Sequence, residues 1–212
     1  MKTAVVAGAT GLIGNLLVIK LVGSPRYESV ITLTRKSLPS HHPKVRQVLT
    51  DFHDLPSALS GVRPDDVFCC LGTTMAKAGS KNKFYEVDFE YPFALAKVTR
   101  GLGAKQYLLV SALGADRNSK IYYNRVKGEA ESAIRTVGFD ATHIFRPSLL
   151  LGQRTEKRTS EDIGKFLFKV FGFAIPEKYK AIDAAKVAEA MLATASKDQK
   201  GTFIHESREM QN

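Results

Sequence analysis

The 212-residue sequence predicts a doubly wound α/β fold, a parallel sheet with helices on both faces. Three observations predict it. Apolar runs of strand length alternate along the chain with longer stretches of helical period. Runs such as Val67-Phe68-Cys69-Cys70-Leu71 are apolar at every position, as strands covered on both faces require. A glycine triplet, Gly8, Gly11 and Gly14, lies between the first strand-like run and the first helix-like one.

The first strand is read at Lys2–Ala7 and the first helix at Leu12–Val22, with the triplet in the turn between them. One glycine lets such a turn reverse sharply. A second lets backbone approach a diphosphate closely, and a third lets the helix pack on the strand. The free amides at the helix start suit an anion. The spacing is GxxGxxG, and its position between strand and helix gives it weight.

The second strand, Ser29–Thr34, runs into Arg35-Lys36, with no acidic residue nearby in sequence. A carboxylate at this tip would hold a ribose hydroxyl, whereas a basic group accepts a 2′-phosphate. Arg35 therefore favours NADP(H) over NAD(H) as ligand; the alternative is a pair of surface charges beside a loop. After the third strand, Val45–Leu49, come Asp51 and Phe52. The carboxylate accepts from an adenine amino group in one reading and caps a turn in the other, and both stay open. His41, His42 and His53 lack partners at metal spacing, so no metal site is expected.

The fourth strand, Asp66–Leu71, ends in Gly72-Thr73-Thr74. A glycine at a strand end allows close passage of a ligand, at the edge of the sheet where such folds bind. The tandem cysteines Cys69 and Cys70 read as small buried hydrophobes. A helix over Lys83–Leu102 carries Phe84, Val87, Tyr91, Leu95 and Val98 on one face, with a kink or late start expected at Pro92. A fifth strand, Gln106–Ser111, leads to a helix at Tyr122–Val137. A sixth strand follows at Ala141–Phe145, then helices at Ser160–Phe171 and Ala184–Ser196, and a last strand at Thr202–His205.

Composition bounds the function classes. The 44% hydrophobic and 25% charged fractions are those of a globular protein, read as one domain over 1–212. No uninterrupted 18-residue apolar run occurs, so no membrane span is expected. Two adjacent cysteines cannot make a disulfide framework, which suits a reducing cytoplasm. The net charge of +10 is scattered without a basic run or a zinc spacing. It fits phosphate-bearing small ligands and argues against nucleic acid.

The candidate chemistry lies after the fifth strand. Tyr123 and Lys127 stand four residues apart on one helix face. A neighbouring ammonium stabilises a phenolate, so a tyrosine can give a proton to a carbonyl oxygen or take one from an alcohol. Ser111, ending the fifth strand, would hydrogen-bond the same oxygen. With seven tyrosines in the chain the spacing alone says little. Its order after the glycine triplet and the serine is what counts.

Together these residues resemble the short-chain dehydrogenase/reductase superfamily, with its Rossmann fold. GATGLIG is similar to the form found in extended and atypical members. Phe68 through Thr74, Lys77-Ala78-Gly79, Val87-Asp88, Gly114-Ala115-Asp116 and Tyr123 through Glu129 resemble the Tat-interacting-protein (CC3-like) branch of NADPH-binding oxidoreductases. The resemblance runs from residue 3 to about residue 170. It implies Ser111, Tyr123 and Lys127 as catalytic residues, and pyrophosphate contacts from Gly8, Thr10, Gly11, Leu12, Ile13 and Gly14. It also implies Arg35 at the 2′-phosphate. By their places at the strand ends, Lys36 beside it, Asp51 and Phe52 near an adenine, and Cys70, Leu71, Gly72 and Thr73 along the cofactor are further candidates. Arg146 and Pro147, Ser148 and Leu149 would run beside the nicotinamide. Many superfamily members carry an Asn on the helix after strand four. Val87-Asp88 stands there instead, which implies a proton relay that differs or is absent.

The segment 152–180 is expected to form a lid or substrate segment. It begins basic at Arg154, Lys157 and Arg158, and continues into an amphipathic helix capped by Thr159 or Ser160. Phe166, Leu167, Val170, Phe171 and Phe173 are its apolar face. Only 65 residues follow Pro147, too few for the large sugar-nucleotide pocket of epimerases of similar fold. The reading is an NADP(H)-dependent oxidoreductase acting on a small carbonyl or alcohol, as a monomer or homodimer. The rival is a non-catalytic NADP(H)-binding redox sensor acting through a protein partner.

Overall fold

The computed structural model describes residues 1–37, 42–152 and 180–211. Seven parallel strands form one sheet in the order β3-β2-β1-β4-β5-β6-β9. They are β1 (Lys2–Ala7), β2 (Tyr27–Thr34), β3 (Val45–Leu49), β4 (Asp66–Cys69), β5 (Gln106–Val110), β6 (Ala141–Arg146) and β9 (Gly201–Glu206). A two-stranded parallel ladder joins β7 (Leu150–Leu151) to β8 (Ile182–Asp183). The strand order reverses at β1, so β1 and β4 diverge toward opposite edges. The crevice above that switch point is where folds of this kind bind ligands.

Pleating sorts the core into two layers. Ala4 and Val6 of β1, Phe68 of β4, Leu108 of β5 and Phe145 of β6 face one layer. There they meet Leu17 and Leu21 of α1 (Leu12–Gly23) and Val187 and Met191 of α7 (Ala184–Ala195). Val5, Ala7, Val67, Cys69, Tyr107 and Leu109 face the other. That layer holds Leu55 of the short α2 (Leu55–Ala58), Leu95 of α5 (Tyr91–Gly101) and Ile134 of α6 (Tyr122–Arg135). Complete burial on both sides explains the continuous apolar runs Ala4–Ala7, Val67–Cys69 and Tyr107–Val110.

Besides α2, β7 and β8, which the sequence reading did not include, one predicted helix is broken up. In place of a single helix from Lys83 to Leu102 there are α4 (Lys81–Tyr85), a π-helical turn (Glu86–Glu90) and α5. Another short helix, α3 (Met75–Ala78), precedes them. The irregularity expected at Pro92 therefore falls one turn earlier. Pro92 has no N–H to give the preceding turn, and a wider turn accommodates the missing bond. The Pro92 carbonyl accepts from the Tyr107 hydroxyl at 2.8 Å, which anchors the helix over the sheet.

Candidate active site

The glycine turn is fixed by contact. Gly8 has φ +84°, and a Cβ there would lie 2.5 Å from the Cys70 carbonyl oxygen. A Cβ on Gly14 would lie 2.2 Å from the Gly8 carbonyl oxygen, so α1 sits directly on the turn. Gly11 precedes α1 in extended conformation and no side chain caps the helix. The N–H groups of Leu12, Ile13 and Gly14 thus lack helical acceptors and point out of the positive end of the helix. That donor set fits a diphosphate. Thr10 and Gly11 are exposed at its rim, while Ile13 is buried beneath it.

Beside it, Arg35 and Lys36 emerge exposed from β2. Arg35 lines a cleft of about 590 Å³ with Leu49, Thr50, Asp51, Asp54, Ser57 and Ala58. Two carboxylates therefore share the cleft with Arg35, although no acid is near it in sequence. Asp51 Oδ1 accepts from the His53 amide at 3.0 Å, the turn-capping arrangement. Phe52 is buried with φ +73°, and its ring stacks on Tyr91 at 5.2 Å. The Tyr91 hydroxyl donates to Glu86. Burial, and then this bond to a carboxylate, push the phenol above the ordinary tyrosine range.

The catalytic candidates lie on α6. Tyr123, Lys127 and Glu131 occupy successive turns of one face. Lys127 Nζ is 2.7 Å from Asp88 Oδ1, and Asp88 Oδ2 accepts from the Thr73 amide at 2.9 Å. Burial alone would lower the Lys127 ammonium; the Asp88 carboxylate outweighs it and holds lysine above its usual value. Asp88 belongs to the π turn, which carries it to the buried side of the helix. A Cβ on Gly72 would stand 3.5 Å from both charged atoms. Tyr123 is half-buried, its ring 5.5 Å from that of Phe84. Both cysteine thiols are pushed up by burial, in keeping with hydrophobic roles.

Ser111 is 5% exposed, and its hydroxyl donates to Glu131 Oε1 at 2.6 Å. Glu131 in turn holds Arg146 in a two-pronged pair, Nε to Oε1 at 2.9 Å and Nη2 to Oε2 at 2.6 Å. Arg146 also reaches Glu206 of β9 at 3.3 Å. The segment after β5 runs against the one after β6: the Leu113 amide donates to the Pro147 carbonyl at 2.9 Å. Ser148 bonds Ser207 Oγ at 2.9 Å, and Leu149 accepts from the Ile182 amide at 2.9 Å.

Three elements of the site were not read from sequence. Glu131 continues the four-residue spacing of Tyr123 and Lys127, and that periodicity could have found it. Gly128 packs so tightly that a Cβ would lie 2.2 Å from the Arg117 amide nitrogen. The grip of Asp88 on Lys127 depends on the π turn; Pro92 signals an irregularity in this helix but not that it falls at Glu86–Glu90. Of the expected lid, residues 153–179 lie outside the described residues, as does His41. Among the described residues no group of three or more His, Cys, Asp or Glu could hold a metal. No described helix is long and apolar enough to cross a membrane.

A glycine turn at the switch point of a parallel sheet, with a Tyr/Lys helix beside it, is the architecture of the short-chain dehydrogenase/reductase type. Residues 4–170 match the NAD dependent epimerase/dehydratase family, and the chain belongs to it, within the atypical, Tat-interacting-protein branch. It is 35% identical over 179 residues to protein fmp52, mitochondrial, of Emericella nidulans, covering 81% of this chain and 77% of that protein. It is 33% identical over 198 residues to protein HTATIP2 of Rattus norvegicus, covering 90% and 80%. The solved structure of MoeE5 in complex with UDP-glucose and NAD superposes with a TM-score of 0.72 at 17% identity, covering 95% of this chain and 74% of that one. The fold is thereby shared with a nicotinamide-nucleotide protein.

Proposed function

We propose that the chain is an NADP(H)-dependent oxidoreductase acting on a small carbonyl or alcohol. One observation carries this reading: the glycine turn and the Tyr/Lys helix abut the same short segment. Gly8 touches Cys70, and Lys127 stands over Gly72. A dinucleotide whose diphosphate lies on the first must pass the second. The bound nicotinamide supplies or accepts a hydride. Tyr123 is the proton donor or acceptor at the substrate oxygen, and Lys127 holds charge beside it. Arg35 supports a 2′-phosphate, and Pro147, Ser148 and Leu149 flank the nicotinamide. Two free cysteines fit a reducing compartment such as the cytoplasm.

The test is NADPH binding by fluorescence together with reduction of a panel of small aldehydes and ketones. Tyr123→Phe is expected to bind NADPH like the native chain and to lose reduction by about 100-fold or more. A native chain that binds NADPH and reduces nothing supports the sensor reading instead. The internal engagement of Ser111 and Lys127 is the observation that favours it.

A further inference from the structure

Asp88 is held from two sides. Its Oδ1 lies 2.7 Å from Lys127 Nζ, and its Oδ2 accepts from the Thr73 amide at 2.9 Å, so turning away from the lysine would break a second bond. Both residues are buried, and water and salt screen such a pair little. The pair sums to zero charge. The groups around it add none: Arg146 is paired with Glu131, one turn further along α6, and burial pushes the Cys69 thiol up, so that it stays protonated. The sheet order gives the pair its place along a dinucleotide. Arg35 and its cleft lie on the β2 and β3 side of the glycine turn, whereas Lys127 and Asp88 lie over Gly72 on the β4 side. A dinucleotide with its 2′-phosphate at the first therefore brings its nicotinamide end to the second.

We infer that Asp88 is a specificity-determining residue for the oxidation state of the cofactor: by cancelling the Lys127 charge it lets the site hold NADP⁺ and NADPH about equally. This rests on the cofactor placement of the oxidoreductase reading above. The nicotinamide ring is cationic when oxidised and neutral when reduced. An uncompensated ammonium beside it would repel the oxidised form alone, and an uncompensated carboxylate would attract it. The adenosine end is the same in both forms, so Arg35 and its cleft drop out of the comparison. A balanced site takes up one form and releases the other without being trapped by either.

The probes are NADP⁺ and NADPH, titrated calorimetrically into the native chain and three variants. The native chain is expected to bind the two within about threefold of each other, since no net charge separates them. Asp88→Asn, which keeps an oxygen for the Thr73 amide, should shift the ratio of affinities toward NADPH by about tenfold or more, the effect of one charge at short range. Lys127→Met should shift it toward NADP⁺, and the double variant, which strands no charge, should return close to the native ratio. A merely structural role for Asp88 would weaken both forms alike. A native chain that prefers NADPH by about tenfold or more overturns the inference, and that measurement needs no variant to fold. A ratio that neither single variant moves overturns it too. Failure to bind either form refutes the oxidoreductase reading and this inference with it, whereas binding of both in the wrong ratio refutes this inference alone.

Discussion

The Lys127 ammonium and the Asp88 carboxylate lie 2.7 Å apart in a region where both are buried. Removing one partner of such a pair leaves a charge without compensation, at a cost of about 3–5 kcal/mol. Asp88→Ala is expected to lower the free energy of urea unfolding by roughly 3 kcal/mol. It also deprives the Thr73 amide of its acceptor. Adding Lys127→Met removes the stranded charge and should return more than half of the loss. A double variant no more stable than Asp88→Ala would show that the pair is not the source of the effect.

Glycine substitutions separate close packing from helix propensity. Gly14→Ala drives a methyl into the Gly8 carbonyl at 2.2 Å, where only backbone can yield. It should cost about 2 kcal/mol or more and abolish detectable NADPH binding. Gly128→Ala meets the Asp116–Arg117 backbone and should be as disruptive, displacing the turn that carries Lys127. Gly23, at the end of α1, has nothing within 4 Å. Gly23→Ala should stabilise by up to about 1 kcal/mol through helix propensity alone. Thermal melts and NADPH titrations of the three variants check the order.

Much of this architecture was legible in sequence because its signals are local. Burial on both sheet faces makes β4 apolar from Val67 and β5 apolar from Tyr107 onward, and the strand-to-helix turn needs glycine at Gly8 and Gly14. Strand ends differ from the reading by two residues or fewer, since the apolar run of β4 continues past its last ladder bond into Cys70 and Leu71. What the sequence hid depends on contacts between distant residues. The π turn follows from Pro92 and from packing on the sheet, not from periodicity. Glu131 meets Arg146 from a helix and a strand fifteen positions apart, so neither charge announces the other. Asp51 and Asp54 join Arg35 only because β3 lies beside β2.

That juxtaposition makes the cofactor preference measurable at single residues. Arg35→Ala should weaken NADPH by about ten- to a hundredfold, the worth of a charged hydrogen bond, and NADH by far less. Asp51→Asn and Asp54→Asn remove negative charge from the same cleft. Each should tighten NADPH modestly, with the gain shrinking at high salt. Isothermal titration with both cofactors decides it. Equal weakening of NADPH and NADH by Arg35→Ala would remove the 2′-phosphate from this cleft.

The far edge of the sheet carries a pH dependence of its own. His143 of β6 is buried, with Nδ1 3.2 Å from His205 Nε2 of β9 and its ring stacked on Phe203. Burial, then the nearby His205 and Lys197, push its pKa down to about 4, and burial lowers His205 too. In the unfolded chain a histidine titrates near ~6.5. Below that pH the unfolded state takes a proton that folded His143 refuses. Stability is therefore complete above pH about 6.5, declines as pH falls, and stops declining near 4 where the folded state also protonates. The loss over that window amounts to as much as about 3 kcal/mol. Urea unfolding at pH 7 and pH 5 should show it, and His143→Phe should flatten the dependence. A native chain equally stable at both values would place the charged imidazole comfortably between the strands, against the burial seen there.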